Sequence, residues 1–103
     1  MDEAMVKAIC AVQQEGGQAA LASIIATRGS TPRKAGAKML VYRDGRVFGT
    51  IGGGCAEAEV RLQALTALDE NRSFTYKVSM SGDTAANEGM ACGGIMEVLI
   101  QVV

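Results

Sequence analysis

The sequence contains no histidine and no tryptophan. Without an imidazole, catalytic arrangements of the Ser/His/Asp and Cys/His types are excluded, and a four-coordinate structural zinc site loses one of its two usual soft ligands. Aromatic residues make up 4% of the chain and the formal net charge is -1, which argues against a general nucleic-acid binder because such proteins stack bases on aromatic rings along a basic surface.

Cysteine is scarce as well. Cys10, Cys55 and Cys92 form an odd set without CxxC spacing, which is typical of reduced thiols rather than of a disulfide framework. No apolar run is long enough to cross a bilayer, and Asp2 and Glu3 stand where a secretory signal would carry positive charge. We therefore expect a cytoplasmic protein that contacts no membrane, and 103 residues fit a single domain.

Hydrophobic periodicity predicts an α/β (α+β) fold with a mixed sheet of about five strands and two main helices. Asp2 is expected to cap a first helix that ends at Gly16-Gly17. A second helix is expected after Cys55, with the apolar stripe Ala58, Leu62, Leu65 and Leu68 and an ion pair between Glu57 and Arg61.

Strands are predicted at residues 18–27, 38–42, 46–51, 73–80 and 95–103. The first reads as a strand that is covered on both faces, because its apolar residues are nearly continuous. Asp44-Gly45 predicts a two-residue hairpin turn of the mirror-image type, which needs positive φ. The strand after this turn runs directly into three glycines, so the hairpin fixes where those glycines lie relative to the sheet.

The glycine turn, defined as residues 50–57, reads Thr-Ile-Gly-Gly-Gly-Cys-Ala-Glu. Glycines let main-chain N–H groups approach a ligand closely, and the first turn of a helix leaves further N–H groups unpaired. The positive end of that helix would lower the pKa of the Cys55 thiol, so the turn offers both an anion cradle and a partly ionised sulfur. The alternative is a tight turn in which Cys55 is a small buried residue. Glu57 is expected to cap neighbouring backbone, and the alternative is that it acts on the ligand.

The basic loop, defined as residues 27–38, follows a nearly continuous apolar run and is rich in basic and hydroxyl-bearing residues. Between Glu15 and Asp44 there is no acidic residue, and half of the ten positive charges fall there: Arg28, Arg33, Lys34, Lys38 and Arg43. The loop also carries hydroxyl groups and a proline-fixed turn, a combination suited to anion contact. A solvated basic loop is the alternative.

A second thiol stands among glycines in the segment Cys92-Gly93-Gly94. If the strand ends next to Cys55 and Cys92 lie near each other, both sulfurs face one cleft. The complementary ligand carries a phosphate or similar anion at one end and a thiophilic metal or sulfur at the other. Nucleotide motifs do not fit, because no GxGxxG opens a Rossmann unit and no GK[ST] follows the glycines.

Several segments together resemble the N-terminal domain of the XdhC/CoxI family. They are Arg28-Gly29-Ser30-Thr31-Pro32-Arg33, Gly36-Ala37-Lys38-Met39, Asp44-Gly45, Gly49-Thr50-Ile51-Gly52-Gly53-Gly54-Cys55-Ala56-Glu57 and Glu88-Gly89-Met90-Ala91-Cys92-Gly93-Gly94. The resemblance spans nearly the whole chain. It implies an accessory factor, rather than a catalyst, that binds the molybdenum cofactor (molybdopterin) transiently, assists its sulfuration and delivers it to xanthine dehydrogenase and related molybdenum hydroxylases.

The resemblance also implies which residues line the cofactor site. They are Arg28, Gly29, Ser30, Thr31, Arg33, Gly52, Gly53, Gly54, Cys55, Cys92, Gly93 and Gly94, with Cys55 as the leading candidate for contact with molybdenum or its sulfur ligands. Longer members of the family continue into a C-terminal dinucleotide-binding-like domain that residues 1–103 do not contain. We therefore expect either that the cofactor is bound incompletely, or that another chain or a homo-oligomer supplies the missing wall of the site.

Two further interpretations remain open. In the first, Cys55 or Cys92 carries a persulfide received from a cysteine desulfurase, and the protein acts as a sulfurtransferase. In the second, the glycines only make turns and the protein is a small assembly or regulatory subunit of a molybdenum hydroxylase that binds no ligand. Three outcomes distinguish these interpretations. A cofactor chaperone retains molybdopterin, and a sulfurtransferase gains one sulfur on a thiol. A ligand-free subunit co-purifies with the hydroxylase without any pterin.

Overall fold

A computed structural model describes residues 1–31, 33–79 and 94–103. Within these ranges the elements are α1 (Glu3–Gln14), β1 (Ala19–Arg28), β2 (Lys38–Tyr42), β3 (Val47–Gly49), α2 (Gly54–Glu70), β4 (Phe74–Ser79) and β5 (Ile95–Val102). The five strands form one sheet in the order β3-β2-β1-β5-β4. The predicted fold class, with two helices and about five strands, is confirmed.

Helix α1 begins and ends where the sequence predicts. The Asp2 carboxylate accepts a hydrogen bond of 2.8 Å from the Met5 N–H group, and Gly16 follows the helix with a φ of 73°. Met5 and Val12 are buried against one face of the sheet, in a cluster with β1 and β2 residues. Helix α2 covers the opposite face and packs mainly on β1, β4 and β5.

Strand β1 lies at the centre of the sheet, between β2 and β5. Its first six residues are buried, as the nearly continuous apolar run predicts. The register with β5 shifts between Ile24 and Ala26, and the intervening Ile25 is 47% exposed. The second part of β1, beyond this bulge, is therefore the part that reaches solvent and carries the basic loop.

The sheet is antiparallel throughout, and the expectation of a mixed sheet is wrong in this respect. A helix between two strands usually signals a parallel pair. Here α2 connects β3 with β4, which run in the same direction but lie at opposite edges of the sheet. The crossover spans the whole sheet and so creates no parallel neighbours.

The predicted hairpin between β2 and β3 is confirmed, but its loop has three residues instead of two. Tyr42 N–H donates to Arg46 O and Gly45 N–H donates to Tyr42 O, both at 2.9 Å. Among the described residues only Asn71 is a non-glycine with positive φ, so Gly45 (91°) alone takes the left-handed conformation in this loop. The Arg46 N–H group donates to Asp44 and lowers the pKa of that carboxyl below its usual value.

Helix α2 buries only part of the predicted stripe: Leu68 is buried and Leu65 packs against the core as predicted, whereas Ala58 is exposed. Its buried residues are Ala56, Val60, Ala64, Ala67 and Leu68, whereas Leu62, from the predicted stripe, is 62% exposed. Three alanines on the buried face leave room for the helix to pack closely on the sheet, and this face is rotated away from Leu62 in the first half of the helix.

The predicted Glu57–Arg61 pair is absent from the described residues as well. The Arg61 guanidinium donates instead to Gly45 O at 2.6 Å and ties α2 to the hairpin. Neither α1 nor α2 has the length and apolar content needed to cross a bilayer, and no other helix occurs in the described ranges.

Candidate functional site

One end of the sheet collects most of the segments that the sequence predicts to contact a ligand. Strands β1 and β3 end there, β2 and β5 begin there, and α2 starts there, as the antiparallel pairings require. The basic loop, the glycine turn and Gly94 therefore lie at the same end. The hairpin loop at residues 43–45 and the C-terminus of α2 lie at the opposite end.

The glycine turn requires its three glycines because of their backbone conformation. Gly52, Gly53 and Gly54 have φ values of 129°, 75° and 64°, which side chains with a Cβ rarely adopt. Open space surrounds the position that a Cβ on Gly53 would occupy, so the constraint there is conformational. The turn is anchored by Ile51, which is fully buried, and Cys55 lies half-buried in the first turn of α2.

A side-chain network holds this turn from within. The Glu57 carboxylate accepts hydrogen bonds from the Thr50 hydroxyl at 2.5 Å and from Gly53 N–H at 3.3 Å. The Thr50 oxygen in turn accepts from Gly52 N–H at 3.0 Å. The expectation that Glu57 caps neighbouring backbone is confirmed. Two amides of the predicted anion cradle therefore already bind the protein's own side chains.

The basic loop presents charges that the described residues do not neutralise. The ion pairs in the described ranges are Lys7–Glu3, Arg46–Asp44 and Arg72–Glu70, so none involves Arg28, Arg33 or Lys34. The Thr31 hydroxyl donates to Arg33 O at 2.7 Å and tightens the loop locally. A cavity of about 620 Å³ lies against the loop and is lined by Thr27, Gly29, Ser30, Thr31, Lys34 and Ala35.

Gly94 joins the basic loop to the start of β5. It is buried, and a Cβ at this position would overlap Ser30 O and approach Thr31 Cγ2 to 2.7 Å. This close approach was not predicted, since the sequence indicates only a glycine near a strand end. Cys92 and Gly93 lie outside the described residues, so the convergence of the Cys55 and Cys92 thiols stays a prediction.

The structure thus brings together, at one end of the sheet, those of the predicted site residues that it describes. The sequence places Thr50 in the glycine turn and Lys38 in the basic loop, but the contacts of their side chains were not predicted. A hydroxyl two residues before Gly52 is a signal for a local side-chain turn and could have indicated Thr50. Lys38 lies at the start of β2, where its amine donates to the buried Ser23 hydroxyl at 3.3 Å, and no sequence pattern indicates that contact.

The same fold occurs in a solved structure. A crystal structure described as a xanthine dehydrogenase from Bacillus halodurans superposes with a TM-score of 0.79 at 28% sequence identity, over 95% of this chain and 30% of that one.

Curated relatives match most of the chain. YqeB of Escherichia coli (strain K12) is 45% identical over 83 residues, 81% of this chain and 15% of that protein. A probable xanthine dehydrogenase subunit of Bacillus subtilis (strain 168) is 36% identical over 85% of this chain and 27% of its own length. The molybdenum cofactor insertion chaperone PaoD of E. coli (strain K12) is 33% identical over 77% of this chain and 24% of its own.

The chain therefore spans between 15% and 27% of the length of these relatives. A model of the XdhC and CoxI family matches residues 12–79, which include the basic loop, the glycine turn and all of α2. This chain belongs to the XdhC and CoxI family.

Proposed function

We propose that this protein takes part in the maturation of the molybdenum cofactor. In this role it binds molybdopterin transiently and delivers it to a molybdenum hydroxylase apoenzyme of the xanthine dehydrogenase type. Family membership supports the proposal, as does the relative named a molybdenum cofactor insertion chaperone. The relative named as a probable xanthine dehydrogenase subunit supports the choice of partner.

The observation that carries the proposal is the presence, at one end of the sheet, of a half-buried thiol and a loop of uncompensated cations. Cys55 lies in the first turn of α2, and no described carboxylate pairs with the side chains of Arg28 or Arg33. The molybdenum cofactor is molybdopterin with molybdenum bound to its dithiolene sulfurs, and it carries a phosphate at the other end, so its two ends match these two kinds of group. When bound, the cofactor supplies the metal centre that the receiving enzyme uses.

Within this function, each part of the site has a distinct task. Cys55 contacts molybdenum or its sulfur ligands, while the guanidinium groups of the basic loop hold anionic oxygen atoms through charge-assisted hydrogen bonds of about 1.5 to 3 kcal/mol each. Gly94 fixes the position of Ser30 and Thr31 by its close backbone approach. The network of Thr50 and Glu57 keeps the glycine turn, and so the start of α2, in one conformation.

Sulfuration of the cofactor is the second candidate function. Cys55 favours it because this half-buried thiol lies in the first turn of α2, directly after the glycine turn. Incubation with a cysteine desulfurase and its cysteine substrate should then add one sulfur atom to Cys55, or to Cys92, as detected by mass spectrometry of the intact protein and its peptides. Absence of such an adduct on either thiol removes the sulfurtransferase role.

Replacing Cys55 with serine tests the cofactor-binding role. We expect the Cys55→Ser variant to keep its fold and to bind molybdopterin at least about tenfold more weakly, because a hydroxyl is a poorer ligand than a thiolate for a soft metal–sulfur centre. Molybdopterin retained after gel filtration is measured by its fluorescent oxidation product, and molybdenum is measured by mass spectrometry.

Cys10 provides the matched control for this experiment. It is exposed on α1, away from the glycine turn, so Cys10→Ser should retain as much molybdopterin as the unaltered protein. Equal retention by the Cys55→Ser variant would remove the sulfur contact. Co-purification of the unaltered protein with a molybdenum hydroxylase, but without any pterin, would favour an assembly subunit that binds no ligand.

A further inference from the structure

A groove on the α1 face of the sheet combines cations with an apolar wall. It has a volume of about 370 Å³ and lies between the N-terminus of α1, the basic loop and the ends of β2 and β3. Asp2, Met5, Arg33, Lys38, Phe48 and Gly49 are among its lining residues. Of these lining residues, only Arg33 is among the predicted cofactor-site residues, and the comparisons assign no ligand to the groove.

Its cations lack an anionic partner in the described part of the chain. Lys38 is half-buried, and its amine meets only the neutral Ser23 hydroxyl. The Arg33 side chain takes part in none of the described ion pairs. The carboxylate of Asp2 is engaged in capping α1 through Met5 N–H. A partly desolvated ammonium beside a neutral hydroxyl is stabilised when an anion joins it.

The opposite wall of the groove is apolar. The Phe48 side chain is 39% exposed on a strand that ends at the groove. A Cβ added to Gly49 would lie 3.0 Å from the terminal methyl group of Met5 and 2.7 Å from Lys38 O. Gly49 also has a φ of 83°, which favours glycine. The absence of a side chain at Gly49 therefore allows α1 and β2 to pack closely against the end of β3. The exposed ring of Phe48 offers a surface on which a flat ring can pack, and the buried Met5 side chain supports the wall from behind.

We propose that this groove binds an organic anion with a flat ring system. The anionic group lies between Arg33 and Lys38, and the ring packs against Phe48. The inference deepens the proposed function, on which it rests for the identity of the natural ligand, because it separates two tasks. The anion is held on the α1 face, whereas the glycine turn, whose Gly52 and Gly53 amides bind Thr50 and Glu57, is left to present Cys55.

Binding of pterin-6-carboxylate, a fluorescent flat ring with one carboxylate, tests the groove without molybdenum. We expect Arg33→Gln and Lys38→Met each to weaken binding by about tenfold, since each removes one charge-assisted hydrogen bond. Phe48→Ala should weaken binding severalfold. Inorganic phosphate should compete with the probe, because it occupies the anionic part of the groove without the ring.

Lys34→Gln is the matched control. Lys34 is adjacent to Arg33 in the same loop and carries the same charge, but it lines the cavity beside Ser30 and Thr31 rather than the groove. Its replacement should change the affinity by less than about twofold. An equal loss in Lys34→Gln and Arg33→Gln would mean that only the diffuse charge of the loop attracts the probe, and this would overturn the proposal, as would absence of binding to the unaltered protein.

Together with the molybdopterin measurements, these binding experiments distinguish failure of the groove proposal from failure of the proposed function. Cys55→Ser should bind pterin-6-carboxylate as the unaltered protein does. If Cys55→Ser loses molybdopterin while the groove variants retain it and bind the probe normally, cofactor binding stands and the groove proposal is wrong. If the groove variants lose the probe but the unaltered protein retains no molybdopterin, the groove stands and the cofactor role is wrong.

Discussion

Replacing Gly94 with alanine is expected to lower the free energy of unfolding by about 2 to 3 kcal/mol, the upper part of the range for overpacking a buried position. Gly94 is buried at the start of β5, where an added Cβ would overlap Ser30 O and come within 2.7 Å of Thr31 Cγ2. Backbone cannot move aside as the end of a flexible side chain can, so either β5 or the basic loop must shift. Urea denaturation of the two proteins measures the difference.

The Gly94→Ala variant should also bind ligands of the basic loop more weakly than the unaltered protein, because Ser30 and Thr31 are displaced. Gly17→Ala is the control, since its Cβ would meet Val12 atoms at 3.7 and 3.8 Å, which are ordinary contact distances. That substitution should be neutral, or stabilising by up to about 1 kcal/mol through the unfolded state. Equal stability changes in the two variants would contradict a specific contact between Gly94 and the loop.

Removal of the Glu57 side chain has the second large effect. In Glu57→Ala the Thr50 hydroxyl and the Gly53 N–H group lose their acceptor in a half-buried turn, and we expect a loss of about 1 to 3 kcal/mol in the free energy of unfolding. Hydrogen exchange of the Gly52 and Gly53 amides should become faster. Glu57→Gln retains an acceptor oxygen and should lose less.

A double-mutant cycle with Thr50→Val tests whether Thr50 and Glu57 act as one unit. Thr50 links Gly52 N–H to the Glu57 carboxylate, so the two substitutions should show a coupling free energy of at least about 0.5 kcal/mol. Additive effects, together with unchanged exchange at Gly52 and Gly53, would mean that the network does not hold the glycine turn.

Local signals predicted the elements of the fold well. Helix α1 begins after Asp2 and ends just before Gly16, as expected. These ends were predictable because capping depends on residues within one turn of the helix. The alternation of Phe74, Tyr76 and Val78 with polar residues correctly predicted β4, in which the former point toward α2 and the latter are exposed. The positive φ of Gly45 in the β2–β3 hairpin was predicted too. The length of the loop was not, because it depends on the register of the two strands, which no local pattern determines.

Errors arose where distant parts of the chain decide the outcome. The leucine spacing correctly placed Leu65 and Leu68 against the core but wrongly placed Leu62, because the first half of α2 buries small residues instead. The sheet is antiparallel throughout because β3 and β4, the two strands joined by α2, lie at opposite edges and are not neighbours. No local sequence pattern encodes the order of the strands. The approach of Gly94 to Ser30 joins residues that are far apart in the chain, and only the pairing of β1 with β5 creates it.

Composition and short motifs support a hypothesis about the chemical character of the site, but they do not reveal which of its groups already bind one another. A row of glycines before a helix suggests an open anion cradle, and the sequence places Glu57 close behind it. Only the structure shows that the Glu57 carboxylate bonds to Gly53 N–H and to the Thr50 hydroxyl. The groove on the α1 face was missed because it combines Asp2 and Met5 with residues of three later segments.

The most direct test of ligand binding at this end of the sheet is amide hydrogen exchange with and without molybdopterin. We predict increased protection at residues 28–34 and 50–57 in the bound protein. Residues at the opposite end of the sheet line a cavity of about 460 Å³ that includes Gly17, Gln18 and Arg43, and their exchange should not change. Protection centred on that cavity, with unchanged exchange in the basic loop and the glycine turn, would contradict the assignment of the site.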